Sequence, residues 1–166
     1  MPPEALHPDI DLVDIGLRLL AAVVVGMLVG VEREWRDKPV GIRTLALVSL
    51  GSALVCVATV HLAALKEDPN AISRVVQGVI QGVMTGIGFV GAGAVLHREG
   101  RDVHGLTTAA TVWVTAALGI ACALATWRIV LLGVLLTLMV LLLHPIDDWF
   151  DKRRAKNRQR DPSSPT

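Results

Sequence analysis

Charged and polar side chains are sparse inside the apolar runs of this chain, so each one found there carries information. Glu32 closes the first run beside Gly30, near Arg33, Arg36 and Arg43. A carboxylate at that place could coordinate a cation at the inner mouth of a path, gate the path by ion pairing, or form a plain interfacial salt bridge. Arg18 follows Asp14 by four residues, the spacing at which an acid and a base pair on one helix face. Beyond that pair, Arg18 either faces an outer vestibule and handles ions or snorkels toward the interface. Arg74, Gln77, Gln81, Thr85, Gly88 and Ala92 recur at steps of three or four, a polar stripe that shrinks to small residues. Two carboxamides within an apolar span are costly against lipid, so Gln77 and Gln81 are expected to face protein or water.

Hydroxyls form two further stripes, Ser49, Ser52 and Thr59 with Cys56, and Thr107, Thr108, Thr111 and Thr115. Such groups line a ligand path or bond back to their own helix or to a neighbour, and the second use is the commoner one. Thr107 and Thr108 lie at the start of their run, where they can also cap a helix. Glycine is the other recurring device. Gly26 and Gly30 form a GxxxG that admits another helix backbone, and Gly78, Gly82 and Gly86 form a second small-residue ridge. The run through Gly86, Gly88, Gly91 and Gly93 weakens a helix, so it is expected either to unwind and present carbonyls to an ion or to pack very closely.

What is missing narrows the chemistry. No Asp or Glu lies near the middle of any apolar run, whereas a dedicated divalent-cation site uses carboxylates and a proton relay needs titratable groups. Cys56 and Cys122 sit in separate apolar runs without ligand-spaced neighbours, so the metal ligands stay unassigned and no cofactor is expected. No nucleophile–base pair appears, and an enzyme is not expected.

The elements that hold these residues follow from the apolar runs, in a chain that is 52% hydrophobic and 19% charged. Five segments, about 12–31, 42–65, 71–96, 106–125 and 127–144, approach the length needed to cross a bilayer. Backbone groups in lipid must pair within their own segment, so these are helices. The alternation of a membrane barrel is absent. The expected fold is an all-α membrane protein, a compact bundle of about five transmembrane helices in one domain, 12–144. A short acidic, extracytoplasmic segment at 1–11 precedes it and a basic, largely disordered cytoplasmic tail at 145–166 follows. The acidic start does not suit a signal peptide, so the first span is expected to be retained.

Charge sets the orientation. Arg33, Arg36, Lys38, Arg43, Arg98, Arg101 and the six basic residues from Lys152 to Arg160 fall on one side, which predicts N-out, C-in. The asymmetry points to a lipid bilayer rather than to nucleic acid, and the small-residue faces suit a second copy of the chain or another membrane protein. A faint internal repeat relates Gly41-Ile42-Arg43-Thr44 to Gly105-Leu106-Thr107-Thr108, each after a helix and a basic loop, which predicts two helix pairs related by an axis along the membrane normal.

On Gly30-Val31-Glu32-Arg33-Glu34, Gly41-Ile42-Arg43-Thr44, Gly86 through Ala94, and Gly105-Leu106-Thr107-Thr108-Ala109-Ala110, the chain resembles the MgtC/SapB family of bacterial inner-membrane proteins. The resemblance covers about 12–143. It implies a multi-pass protein of the bacterial cytoplasmic membrane linked to growth under magnesium limitation, with Mg2+ as a transported or sensed ion. The family has carried both a Mg2+-transport label and a regulatory role on other membrane proteins. It also implies importance for Glu32, Arg43, Thr44, Gly88, Gly91, Gly93, Gly105, Thr107 and Thr108, which occupy the motif positions. Several members append a soluble C-terminal domain, and here a short basic tail stands in its place, as in membrane-only members.

Overall fold

The computed structural model describes residues 12–64, 69–95 and 105–143. The acidic N-terminus, the basic tail and the basic loop before Gly105 lie outside the described residues. Five helices follow one another: α1 (Leu12–Trp35), α2 (Ile42–Ala64), α3 (Pro69–Val95), α4 (Leu106–Leu124) and α5 (Trp127–Leu142). The first four are long and apolar enough to cross a membrane; α5, at 16 residues, is shorter. Every described element is a helix, as the unpaired backbone of any other form would demand in lipid.

Helix α1 runs a full turn further than the apolar pattern indicated, to Trp35, and so carries Glu32 and Arg33 as helical residues rather than loop residues. The charged residues satisfy partners there instead of ending the helix. Its C-terminus closes with a left-handed residue, Asp37 at φ 51°. Asp37 N–H donates to the Glu34 carbonyl and Lys38 N–H to the Arg33 carbonyl, both at 3.1 Å, the paired bonds of a Schellman motif. Asp fills the place usually taken by Gly because its short polar side chain tolerates that region.

Helices α2 and α4 face each other at the centre. Helix α1 packs against both on one side, α3 packs against both on the other, and α1 and α3 do not meet among the described residues. Helix α5 sits against α4 and α1. The pairs α1/α2 and α3/α4 thus make corresponding contacts around the α2/α4 centre. The core runs through Ala22, Val25, Val29, Leu45, Ala53, Cys56, Val112, Leu118 and Cys122.

Close approach explains the tightest contacts. A Cβ on Gly26 would lie 2.5 Å from the Leu45 carbonyl oxygen, and one on Gly30 would lie 2.5 Å from Ile42 Cα. The GxxxG of α1 therefore admits the α2 backbone, as expected. Gly119 of α4 does the same for the Ser49 backbone of α2.

The glycines of α3 behave otherwise. Helix α3 is continuous from Pro69 to Val95, so the segment from Gly86 to Gly93 is not unwound. Among the described residues nothing lies within 4 Å of a Cβ built on Gly78, Gly82, Gly86, Gly88 or Gly93, so these glycines do not serve close packing there. Gly91 makes ordinary contact with Ala109.

Candidate functional site

Three of the four motif segments, those at Gly30, Gly41 and Gly105, meet at one end of the bundle, where α1 ends and α2 and α4 begin. Gly30 lets the start of α2 come close, which brings the charged run after it against the first turns of α2 and α4. Each charged residue of that run then has a different task. Glu32 accepts from Arg36 Nε at 2.5 Å, one turn along the same helix. Arg33 points into the bundle, 2% exposed, and its guanidinium donates to the Thr108 hydroxyl of α4. Glu34 reaches back to accept the Ile42 N–H at 3.1 Å, satisfying a first-turn donor of α2 that has no partner within that helix.

This junction carries unspent polar capacity. Glu32 is 8% exposed, and its Oε2 has no hydrogen-bond partner among the described residues; the same holds for Arg33 Nε. Glu32 is therefore a buried, half-paired carboxylate rather than an open one at a mouth. Burial of charge is expensive unless it is paired, so the junction is a place where removal of one partner matters.

Other expected residues separate from it. Arg43 and Thr44 lie on the exposed side of the first turn of α2, and Thr107 is exposed while its neighbour Thr108 is buried. Neither threonine caps α4, whose N-cap is Gly105 at φ 93°. Only glycine suits that place, since a Cβ there would also meet the Ala94 carbonyl oxygen at 2.7 Å.

Arg18 lies at the opposite end of the bundle, with its guanidinium held by neighbouring groups. It pairs with Asp14 at 2.7 Å, as expected, and also donates to the carbonyls of Cys122 at 3.3 Å and Ala123 at 3.1 Å. These carbonyls end α4, so the cation satisfies acceptors that α4 leaves unpaired and complements its dipole. Its guanidinium also lies 5.7 Å from the Trp127 ring.

The hydroxyl stripes are largely turned back on their own helices. Ser52 donates to the Val48 carbonyl, Thr59 to Val55, Thr111 to Thr107 and Thr115 to Thr111, all within 2.7–2.8 Å. Gln77 and Gln81, expected to face protein or water, are exposed on α3. The residues that reading by type passed over are Arg33 and Glu34. A signal existed: Ala22, Gly26, Val29 and Arg33 share one helix stripe, so a helix continued to Trp35 aims Arg33 at the core.

Apolar helices of this length packed around a common core define an all-α integral membrane protein. The MgtC family model matches residues 19–148, and the chain belongs to that family. Among its relatives, Protein SrpB of Synechococcus elongatus is 42% identical over 141 residues, 81% of this chain and 76% of that protein. Protein MgtC of Salmonella typhimurium is 40% identical over 112 residues, 68% of this chain. The match takes in 44% of MgtC, so this chain corresponds to less than half of that relative's length. An uncharacterized protein of Haemophilus influenzae is 33% identical across 86% of this chain. No solved structure matches the chain.

Proposed function

We propose that this chain is a multi-pass protein of the bacterial cytoplasmic membrane that serves magnesium homeostasis by acting on another membrane protein, rather than by conducting Mg2+ through its own bundle. The observation that carries this reading is the contact among α1, α2 and α4. Their backbones meet closely at Gly26, Gly30 and Gly119, which favours a packed junction over an ion path between them. A path lined by α1, α3 and α4 would need α1 and α3 to face each other, and they lie on opposite sides of the α2/α4 pair. The junction of Glu32, Arg33 and Thr108 then serves to set how α1, α2 and α4 are held together, and a partner would read that arrangement.

Direct Mg2+ transport is the second reading, favoured by the exposed carboxamides of Gln77 and Gln81. Mg2+ flux into proteoliposomes, measured for the wild-type chain and for Glu32→Gln, separates the two. No flux from folded, inserted wild-type protein is the expected result, together with loss of low-magnesium growth in Glu32→Gln cells that hold normal amounts of the protein. Flux that requires Glu32 would overturn the proposal in favour of transport.

A further inference from the structure

Helices α2 and α4 begin alike but are completed differently. Gly41-Ile42-Arg43-Thr44 opens α2 and Gly105-Leu106-Thr107-Thr108 opens α4. In each, the first intrahelical bond returns to the glycine carbonyl, at 3.2 Å from Leu45 N–H and 2.9 Å from Ala109 N–H. A helix start leaves N–H groups that the helix cannot pair, with the positive end of its dipole behind them. At α2 the chain itself supplies a carboxylate, since Glu34 accepts the Ile42 N–H. At α4 the cap is Gly105, which has no side chain to offer. The N–H groups of Leu106, Thr107 and Thr108 have no acceptor among the described residues.

A second observation marks the same place. Arg33, 2% exposed, aims its guanidinium at the first turn of α4, where it donates to the Thr108 hydroxyl. Its Nε–H is buried and has no acceptor among the described residues. Glu32 is matched by Arg36, and Glu34 serves the start of α2, so Arg33 is the cation left without an ion pair there. A buried charge without a counter-ion is costly, and the open helix start adds its own positive potential. What this end of α4 lacks is an anion.

We propose that the start of α4 binds an oxyanion of phosphate type, either free phosphate or the headgroup phosphate of a lipid. Phosphate brings several acceptor oxygens, enough for the N–H groups of Leu106 and Thr107 and for the Thr107 hydroxyl, both residues being exposed. Arg33 does not have to touch the ligand. It stands one hydroxyl behind the helix start, and from a buried place its charge is little screened. The contact of Glu34 with Ile42 shows, within the same chain, that a helix start of this construction takes an anionic oxygen. Bound phosphate would do for α4 what Glu34 does for α2, and would supply Arg33 with its counter-charge.

The site stands whether or not Mg2+ crosses the bundle, and its test reads binding rather than flux. Inorganic phosphate is titrated into the purified full chain in an uncharged detergent, with binding followed by calorimetry. The same chain in phosphatidylcholine vesicles doped with spin-labelled phosphatidylglycerol reports headgroup binding through the immobilised fraction of the label. Thr107→Glu sets the chain's own carboxylate over the open N–H groups, at an exposed position where an acid also suits the dipole. It should melt no lower than wild type and bind about tenfold more weakly, the loss of one charge-assisted contact. Thr107→Val, which deletes one hydroxyl and adds no charge, should weaken binding less. Thr44→Glu makes the same charge change at the start of α2, which Glu34 already serves, and should bind as wild type does. This pattern in the phosphate titration assigns the site to a free anion, and the pattern in the vesicles alone assigns it to a lipid headgroup. Wild type that binds in neither setting overturns the proposal, as does either Thr107 variant that binds as tightly as wild type. Equal losses in Thr107→Glu and Thr44→Glu also overturn it, since general surface charge would then account for the binding.

Discussion

Arg33 places a positive charge 2% exposed inside an apolar bundle, and its hydrogen bond to Thr108 is what the described structure offers it in return. A donor on a charged group that loses its acceptor in a buried place suffers the full desolvation penalty, about 1.5–3 kcal/mol. Thr108→Val, which keeps the shape and deletes the hydroxyl, should therefore destabilise the chain by about that amount, whereas Thr108→Ser should cost well under half of it. Denaturation of the purified chain in mixed detergent measures both. A Thr108→Val chain as stable as Thr108→Ser would mean the guanidinium has a better partner than Thr108. Glu32 is a different case, since Arg36 already holds one of its oxygens at 2.5 Å. Its neutral analogue keeps much of the hydrogen bonding, which is why Glu32→Gln separates function from folding.

At the scale of elements, the three glycines at helix crossings and the exposed ones make opposite predictions. Gly26→Ala and Gly119→Ala each set a methyl against the backbone of α2, which no side-chain rotation can relieve. The helices must part, and each substitution should destabilise by about 1–3 kcal/mol. Gly51→Ala, in α2 with nothing within 4 Å among the described residues, should be neutral or stabilising by up to about 1 kcal/mol through better helix propensity. The same detergent assay distinguishes them, and equal behaviour of all three would show that the crossings are looser than described. The glycines of α3 belong with Gly51 as far as one chain is concerned. Their density was legible in the sequence and their purpose was not. A small-residue ridge looks alike whether it meets a helix of its own chain or one of another, because the signal lies in residue size and not in the identity of the neighbour.

The whole molecule has a direction as well as a shape. With Arg33, Arg36, Lys38 and Arg43 at one end and the basic tail expected beside them, the chain should insert N-out and C-in. A fluorescent protein fused after Thr166 should fluoresce, since it folds in the cytoplasm, and alkaline phosphatase fused there should be inactive. The reverse pattern would invert the bundle and place the Glu32–Arg33–Thr108 junction outside.

The sequence alone determined the number of helices, their approximate bounds and the GxxxG contact of α1. Each is local: about 20 apolar residues must form a helix in lipid, and a glycine ridge presents itself wherever the helix turns. It also marked the three motif segments that meet at the junction. Only the tertiary structure decided what the charges do there. Glu32, Arg33 and Glu34 are consecutive, yet successive helical residues point about 100° apart, so one pairs along α1, one enters the core and one caps α2. The partners, Arg36, Thr108 and Ile42, are fixed by how three helices cross. Likewise the sequence required Gln77 and Gln81 to face protein or water, and only the packing of α3 against α2 and α4 decided that the chain itself leaves both exposed.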